Sequence, residues 1–155
     1  MINKQKVLIV DDNANNIRLA ADTLKSLDIS IIFATSGFKA IEIVKEHSID
    51  LILMDINMPL MDGFETVKRL NTIIHIIFVT ALDDKDSVLR AFREGGLDYI
   101  TKPFYPEELI ARVSTHLRLA KLNKSLSDEV DKKTKELQYS MSIDYSTGAF
   151  NTAKL

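Results

Sequence analysis

Leu51-Ile52-Leu53-Met54-Asp55-Ile56-Asn57-Met58-Pro59-Leu60-Met61-Asp62-Gly63 is an apolar run that ends on a carboxylate and passes into a turn-rich loop. Four consecutive apolar residues suit a strand buried on both faces, the position strands occupy in a parallel sheet. The proline, aspartate and glycine of Met58–Gly63 turn the chain and let backbone approach a bound group closely. The same texture recurs on both sides of this stretch. Apolar runs at Val7–Val10, Ile29–Phe33, Ile73–Val79 and, more weakly, Tyr99–Ile100 alternate with helical patterns. The predicted helical faces are Ile17/Ala21/Leu24, Phe38/Ile41/Val44, Phe64/Val67/Leu70 and Val88/Ala91/Phe92, with Leu109/Val113/Leu117 following Pro106. Pro106 and Glu107-Glu108 suit a first helical turn, and Gly95-Gly96 suits a helix stop. Strand–helix alternation of this kind implies right-handed crossovers and an α/β fold in three layers.

The chain has 155 residues, 46% hydrophobic and 27% charged, which allows one ordinary domain and an extension. A net charge of -2 gives no global attraction to nucleic acid or anionic lipid. With no cysteine, a disulfide framework, a thiol nucleophile and a thiolate metal site are all excluded. No apolar run approaches the ~18 residues of a membrane span, and Met1–Lys6 leads straight into a strand. The expectation is a cytoplasmic protein without membrane contact. His47, His75 and His116 fall in different elements without ligand spacing, and are read as structural or solvated.

Beyond Leu119 the strand signal stops. Leu119, Leu122, Leu126, Val130, Leu137 and Met141, with Lys133 in one slot, repeat a three-four-four spacing that keeps a narrow stripe nearly straight along a helix. Such a helix is marginal alone. It is read as the fifth helix running on into a coiled coil, giving a domain over 5–118, a helical linker over 119–143 and a tail over 144–155. A solvated tail is the plainer alternative.

Ligands of an open parallel sheet gather beyond the carboxyl ends of its strands. The polar residues that follow the apolar runs are Asp11 and Asp12, Asp55, Thr80, and Lys102. Taken singly, either aspartate could cap a helix, Thr80 could pack a strand end, and Lys102 could be solvated. Together they place three carboxylates, a hydroxyl and an ammonium on one rim. Three carboxylates repel one another, and Mg²⁺, a hard cation that prefers oxygen, relieves the repulsion. A carboxylate can also attack phosphorus to form an acyl phosphate. Lys102 and Thr80 would then neutralise and hydrogen-bond the phosphoryl oxygens.

Val7–Asp12, Leu53–Gly63, Phe78-Val79-Thr80-Ala81 and Asp98–Phe104 together resemble the receiver domain of bacterial response regulators, over about residues 5 to 118. The resemblance implies a flavodoxin-like sheet of order 2-1-3-4-5, an arrangement for which that fold is itself a standard example. It implies that Asp55 takes its phosphoryl group from a histidine kinase. It also implies Mg²⁺ held by Asp11, Asp12, Asp55 and the Asn57 carbonyl, a Thr80–Tyr99 switch pair, and a cis Lys102-Pro103 bond. One departure is a compact connection after Leu70, which predicts a short third helix. Asp144, Thr147, Gly148 and Asn151 further resemble, in degenerate form, the opening of GGDEF diguanylate cyclase domains. No GGDEF loop follows, so the chain is read as a non-enzymatic receiver, a homodimer without direct nucleic-acid contact, either part of a longer regulator or standing alone. A haloacid-dehalogenase-like phosphatase is disfavoured by Asn57 where that family carries an acidic proton donor, and a nucleotide or flavin binder by the lack of a Gly-rich phosphate loop.

Overall fold

The computed structural model describes residues 4–81, 84–93 and 98–141, with side chains described through Asn123. The elements run β1 (Gln5–Val10), α1 (Ala14–Thr23), β2 (Ile29–Ala34), α2 (Gly37–Glu46), β3 (Leu51–Asp55), α3 (Gly63–Leu70), β4 (His75–Ala81), α4 (Lys85–Arg93), β5 (Asp98–Lys102) and α5 (Pro106–Met141). The chain divides into two units, Met1–Ala120 and Lys121–Leu155. The first holds the sheet. Of the second, the described part is the helical backbone of 121–141.

The five strands are parallel in the order β2-β1-β3-β4-β5. Alternate residues of each strand point to opposite faces, and the interior divides accordingly. Leu8, Val10, Ile52, Met54, Ile76 and Phe78 pack with Ala40, Ile43 and Phe64 on one face. Val7, Ile9, Leu51, Leu53, Ile77 and Ile100 pack with Ile17, Leu24, Leu109 and Val113 on the other. β3 is buried along its whole length, and that is why it reads as an uninterrupted apolar run. Each fully buried large aliphatic or aromatic side chain here contributes roughly 1.5–3 kcal/mol relative to exposure.

Side-chain oxygens cap the helices at their N-termini. Asn13 accepts from Asn15 N and Asn16 N for α1, Ser36 from Lys39 N for α2, and Asp62 from Glu65 N for α3. Since Asn13 caps α1, neither Asp11 nor Asp12 is spent on that task. α3 is short, eight residues, and ends on Asn71 in the left-handed region at φ 46°.

Three expectations are corrected. The inward face of α2 is Ala40 and Ile43 with Val44 partly buried, while Phe38 stands 51% exposed. The cause is close approach: a Cβ on Gly37 would collide with Thr66 Oγ1 on α3, so small residues must face inward there. Ile73 is 98% exposed, and β4 begins only at His75, after the Thr72 hydroxyl accepts from Ile74 N at 3.2 Å. Phe92 does not join Ala91 in the interior but meets Tyr99 edge-on, ring centroids 5.7 Å apart. His75 and His116, distant in sequence, are ring neighbours at 5.9 Å, and Arg112 and His116 both reach Asp98, tying β5 to α5. Gly95-Gly96, the side chains of Leu126, Val130, Leu137 and Met141, and the whole of 144–155 lie outside the described residues.

Gly63 opens α3 directly beneath the end of β3. A Cβ at this position would overlap the Asp55 carbonyl oxygen and lie 3.0 Å from Ile56 Cα, both backbone. Gly63→Ala is expected to destabilise the domain by about 1–3 kcal/mol, measured by denaturant unfolding. Unchanged stability would mean that α3 does not pack this closely on the strand.

Candidate functional site

Each strand delivers its last residues to the same rim. Asp11 follows β1, and its backbone N–H bonds Ala34 O at 3.1 Å, which extends the β1–β2 ladder past the last strand residue. Asp55 ends β3, and Ile56 N bonds Val79 O at 3.1 Å. Thr80 lies near the end of β4 opposite Thr101, and Lys102 ends β5 opposite Ala81. Lys102-Pro103 is a cis peptide.

Carboxylate oxygens of Asp11, Asp12 and Asp55 lie within 4.8 Å of one another. Asp11 and Asp55 are buried, while Asp12 is exposed. The Lys102 ammonium sits 3.3 Å from Asp11 Oδ2 and 3.1 Å from Asp55 Oδ1. Oδ1 of Asp11 accepts from Asn13 N at 2.9 Å and faces Asn16 Nδ2 at 3.5 Å. Asp12, Asn13, Asn16, Asp55, Asn57, Ala81 and Lys102 surround a cavity of about 260 Å³. The Thr80 hydroxyl is buried without a hydrogen-bond partner among the described residues. A buried polar group in that state costs free energy unless a bound group answers it. The loop leaving Asp55 includes Leu60 at φ 70°, an uncommon backbone for a branched side chain.

The electrostatics follow from this crowding. Burial, then the Asp11 charge, pushes the Asp55 carboxyl up to about 6, against the opposing pull of Lys102. Burial also works against the Lys102 charge, but Asp55 and Asp11 outweigh it and hold the ammonium above the usual lysine range. Counting Asp12, the three carboxylates outnumber the one ammonium. The donor set is all oxygen and short of positive charge, which fits a hard divalent cation.

The structure therefore brings Asp12, Asp55, Asn57 and Lys102 around one cavity, with Asp11 against Asp55 and Lys102 behind it and Thr80 buried on the neighbouring strand. Tyr99 stands opposite Phe78 on β5, partly buried against the same face of the sheet, away from the cavity. The sequence reading missed Asn13 and Asn16. Both follow the aspartate pair at the start of α1, and a run of polar residues there reads as capping alone.

Among known proteins, a model described as the response regulator receiver domain matches residues 7–114. A relative named "Probable transcriptional regulator ycf27" from Cyanidium caldarium is 40% identical over 118 residues, covering 74% of this chain and 47% of its own. The DNA-binding response regulator MtrA of Mycolicibacterium paratuberculosis is 34% identical over 117 residues, 74% of this chain and 52% of its own. The chain thus spans about half the length of these two relatives. The crystal structure of a two-component response regulator from Clostridium difficile superposes with a TM-score of 0.70 at 32% identity, covering 74% of this chain and 97% of that one.

The raised Asp55 carboxyl has a consequence for stability without metal. The folded state holds this proton more tightly than the unfolded state, so stability falls as pH rises from the ordinary value of 3.8 through about 6. The loss from this group is on the order of 3 kcal/mol. Asp55→Asn is expected to flatten that slope and to raise the metal-free melting temperature at neutral pH. Calorimetry across pH 4–7 checks it, and a variant no more stable than wild type would contradict the assignment.

Proposed function

The chain belongs to the response regulator receiver family, its matched relatives being named as transcriptional regulators rather than enzymes, and on that premise we propose that it accepts a phosphoryl group on Asp55 from a histidine kinase with the help of Mg²⁺. The observation that carries this reading is the meeting of Asp11, Asp12 and Asp55 within 4.8 Å, with Lys102 bridging the two buried members. Asp11, Asp12, Asp55 and the backbone carbonyl of Asn57 would hold the cation, which when bound neutralises charge on the phosphoryl oxygens. An Asp55 carboxylate oxygen attacks phosphorus. The new bond is an acyl phosphate, and the bond to the donor histidine nitrogen breaks. Lys102 then exchanges part of its pairing with Asp55 for a phosphoryl oxygen, and the Thr80 hydroxyl donates to another. The unpartnered Thr80 hydroxyl favours this role.

Movement of Thr80 toward the phosphoryl group would free space for Tyr99, which shares its side of the sheet. Tyr99 now rests edge-on against Phe92 of α4. A change of its rotamer would alter the surface formed by α4, β5 and α5, a two-state element biased by local charge. The domain reading 5–118, 119–143 and 144–155 gives that surface an output. α5 continues as helix to Met141, and the first two stripe residues, Leu119 and Leu122, are 42% and 53% exposed. An apolar seam that begins in solvent favours pairing with a second copy in a parallel coiled coil. Parallel pairing would bring two output domains side by side. The Asp144–Asn151 resemblance favours a cyclase as that output. The name of MtrA brings a DNA-binding regulator as the alternative for the whole protein. Among the described residues no helix is long and apolar enough to cross a membrane.

Acetyl phosphate with Mg²⁺ is expected to add one phosphoryl group to the protein, seen by intact-mass analysis. Asp55→Asn should abolish the adduct, and Asp12→Ala should weaken Mg²⁺ binding at least about tenfold while the fold persists. An undiminished adduct on Asp55→Asn would move the site elsewhere. A separate expectation concerns assembly. Sedimentation should show a dimer of the full chain, strengthened by a phosphoryl mimic, and both deletion beyond Arg118 and Leu126→Glu should reduce it. A monomer at high concentration with the mimic bound would refute the coiled coil.

A further inference from the structure

A second cavity, of about 280 Å³, lies behind the rim on the side of the sheet that α1 and α5 cover. Its walls include Ile9 and Leu53 from the sheet centre, Ile100 from β5, Ala20 from α1, and Phe104 and Leu109 from the segment that follows β5. Five of these, all except Phe104, are at most 6% exposed. Protein interiors leave few voids larger than a water molecule. An enclosed apolar cavity of roughly 150 Å³ admits benzene; this one is larger and opens to solvent beside Leu19, which is 56% exposed.

One end of the cavity is polar, where Asp11, Asn16 and Lys102 enter its lining. Asn16 and Lys102 also line the cavity on the rim, so the two spaces share a wall. At that end the Lys102 ammonium, 3.3 Å from Asp11, is already shared with Asp55 at 3.1 Å. An anionic ligand would find no free cation there, and any charged ligand would have to be desolvated among the apolar walls. The Asn16 amide offers a neutral donor and acceptor, and Asp11 Oδ1 beside it is an acceptor.

We propose that this cavity binds a small neutral molecule, mostly apolar and carrying one N–H or O–H directed at Asn16 and Asp11, and that its occupation weakens cation binding on the rim. A ligand donor at Asp11 Oδ1 competes with Asn13 N and Asn16 Nδ2 and draws charge from a carboxylate that the cation also needs. The two ligands then oppose each other by equal factors. The opposition rests on the Mg²⁺ reading above, whereas binding itself does not.

Indole is a suitable probe, since it is apolar with one N–H donor. The chain has no tryptophan, so indole emission is read against tyrosine alone. Titration of the full chain without metal should give a saturable blue shift, with a dissociation constant on the order of 10⁻⁴ M. Val79 of β4 also lines the cavity, so Ala20→Leu from α1 and Val79→Leu from the sheet fill it from two walls and should each weaken binding at least about tenfold, with thermal unfolding showing that both variants fold. Saturating Mg²⁺ should weaken indole about fivefold, and indole should weaken Mg²⁺ by the same factor. Absence of saturable binding, as when only a partner protein's side chain fits the space, overturns the assignment, as does binding that both filling variants leave unchanged. Indole affinity indifferent to bound Mg²⁺ overturns the opposition. A chain that takes up indole but no Mg²⁺ overturns the cation reading and leaves the cavity site standing.

Discussion

Lys102 spans the two buried carboxylates of the rim, 3.3 Å from Asp11 and 3.1 Å from Asp55, and much of the site is arranged around that contact. Two like charges in a poorly hydrated place repel strongly, and one ammonium cannot satisfy both together with Asp12. The residual imbalance shows in the Asp55 carboxyl, pushed up to about 6 by burial first and by Asp11 second. An arrangement of this kind costs folding energy, and natural sites carry such a cost where a bound charge later relieves it.

The parallel sheet makes the contact inevitable once the order 2-1-3-4-5 is set. β1 and β3 are neighbours, so Asp11 and Asp55 leave adjacent strands at the same edge. β5 lies two strands from β3, with β4 between them, and a long flexible lysine reaches across where a shorter side chain would not. Beneath them, Gly63 lets α3 sit against the backbone of Asp55 and Ile56, and Gly63 N donates to Ile56 O at 2.9 Å. The proposed nucleophile is thus held from below by backbone and from the side by charge.

Much of this was legible from residue order. Runs such as Leu51–Met54 report strands because burial on both faces leaves no polar alternation to blur them. The polar residue after each run reports the rim, because parallel strands all end on one side. Features that depend on how a short helix rolls against its neighbours were not legible. α2 offers two comparable apolar faces, and the choice of Ala40 and Ile43 over Phe38 follows from the close contact of Gly37 with Thr66, a fact of packing. Asn16 carries no signal of its own, since its place between two cavities is defined by side chains from β1 and β5. The pairing of His75 with His116 likewise exists only after α5 docks.

The charge imbalance at the rim can be read directly. Carboxyl ¹³C NMR of the aspartates, titrated with pH in the absence and presence of Mg²⁺, follows Asp55 itself. The expected result is a titration near 6 without metal, displaced below the ordinary 3.8 when Mg²⁺ is bound. An Asp55 that titrates at its ordinary value in both conditions would contradict the proposal that this rim is built to hold a cation beside a nucleophilic carboxylate.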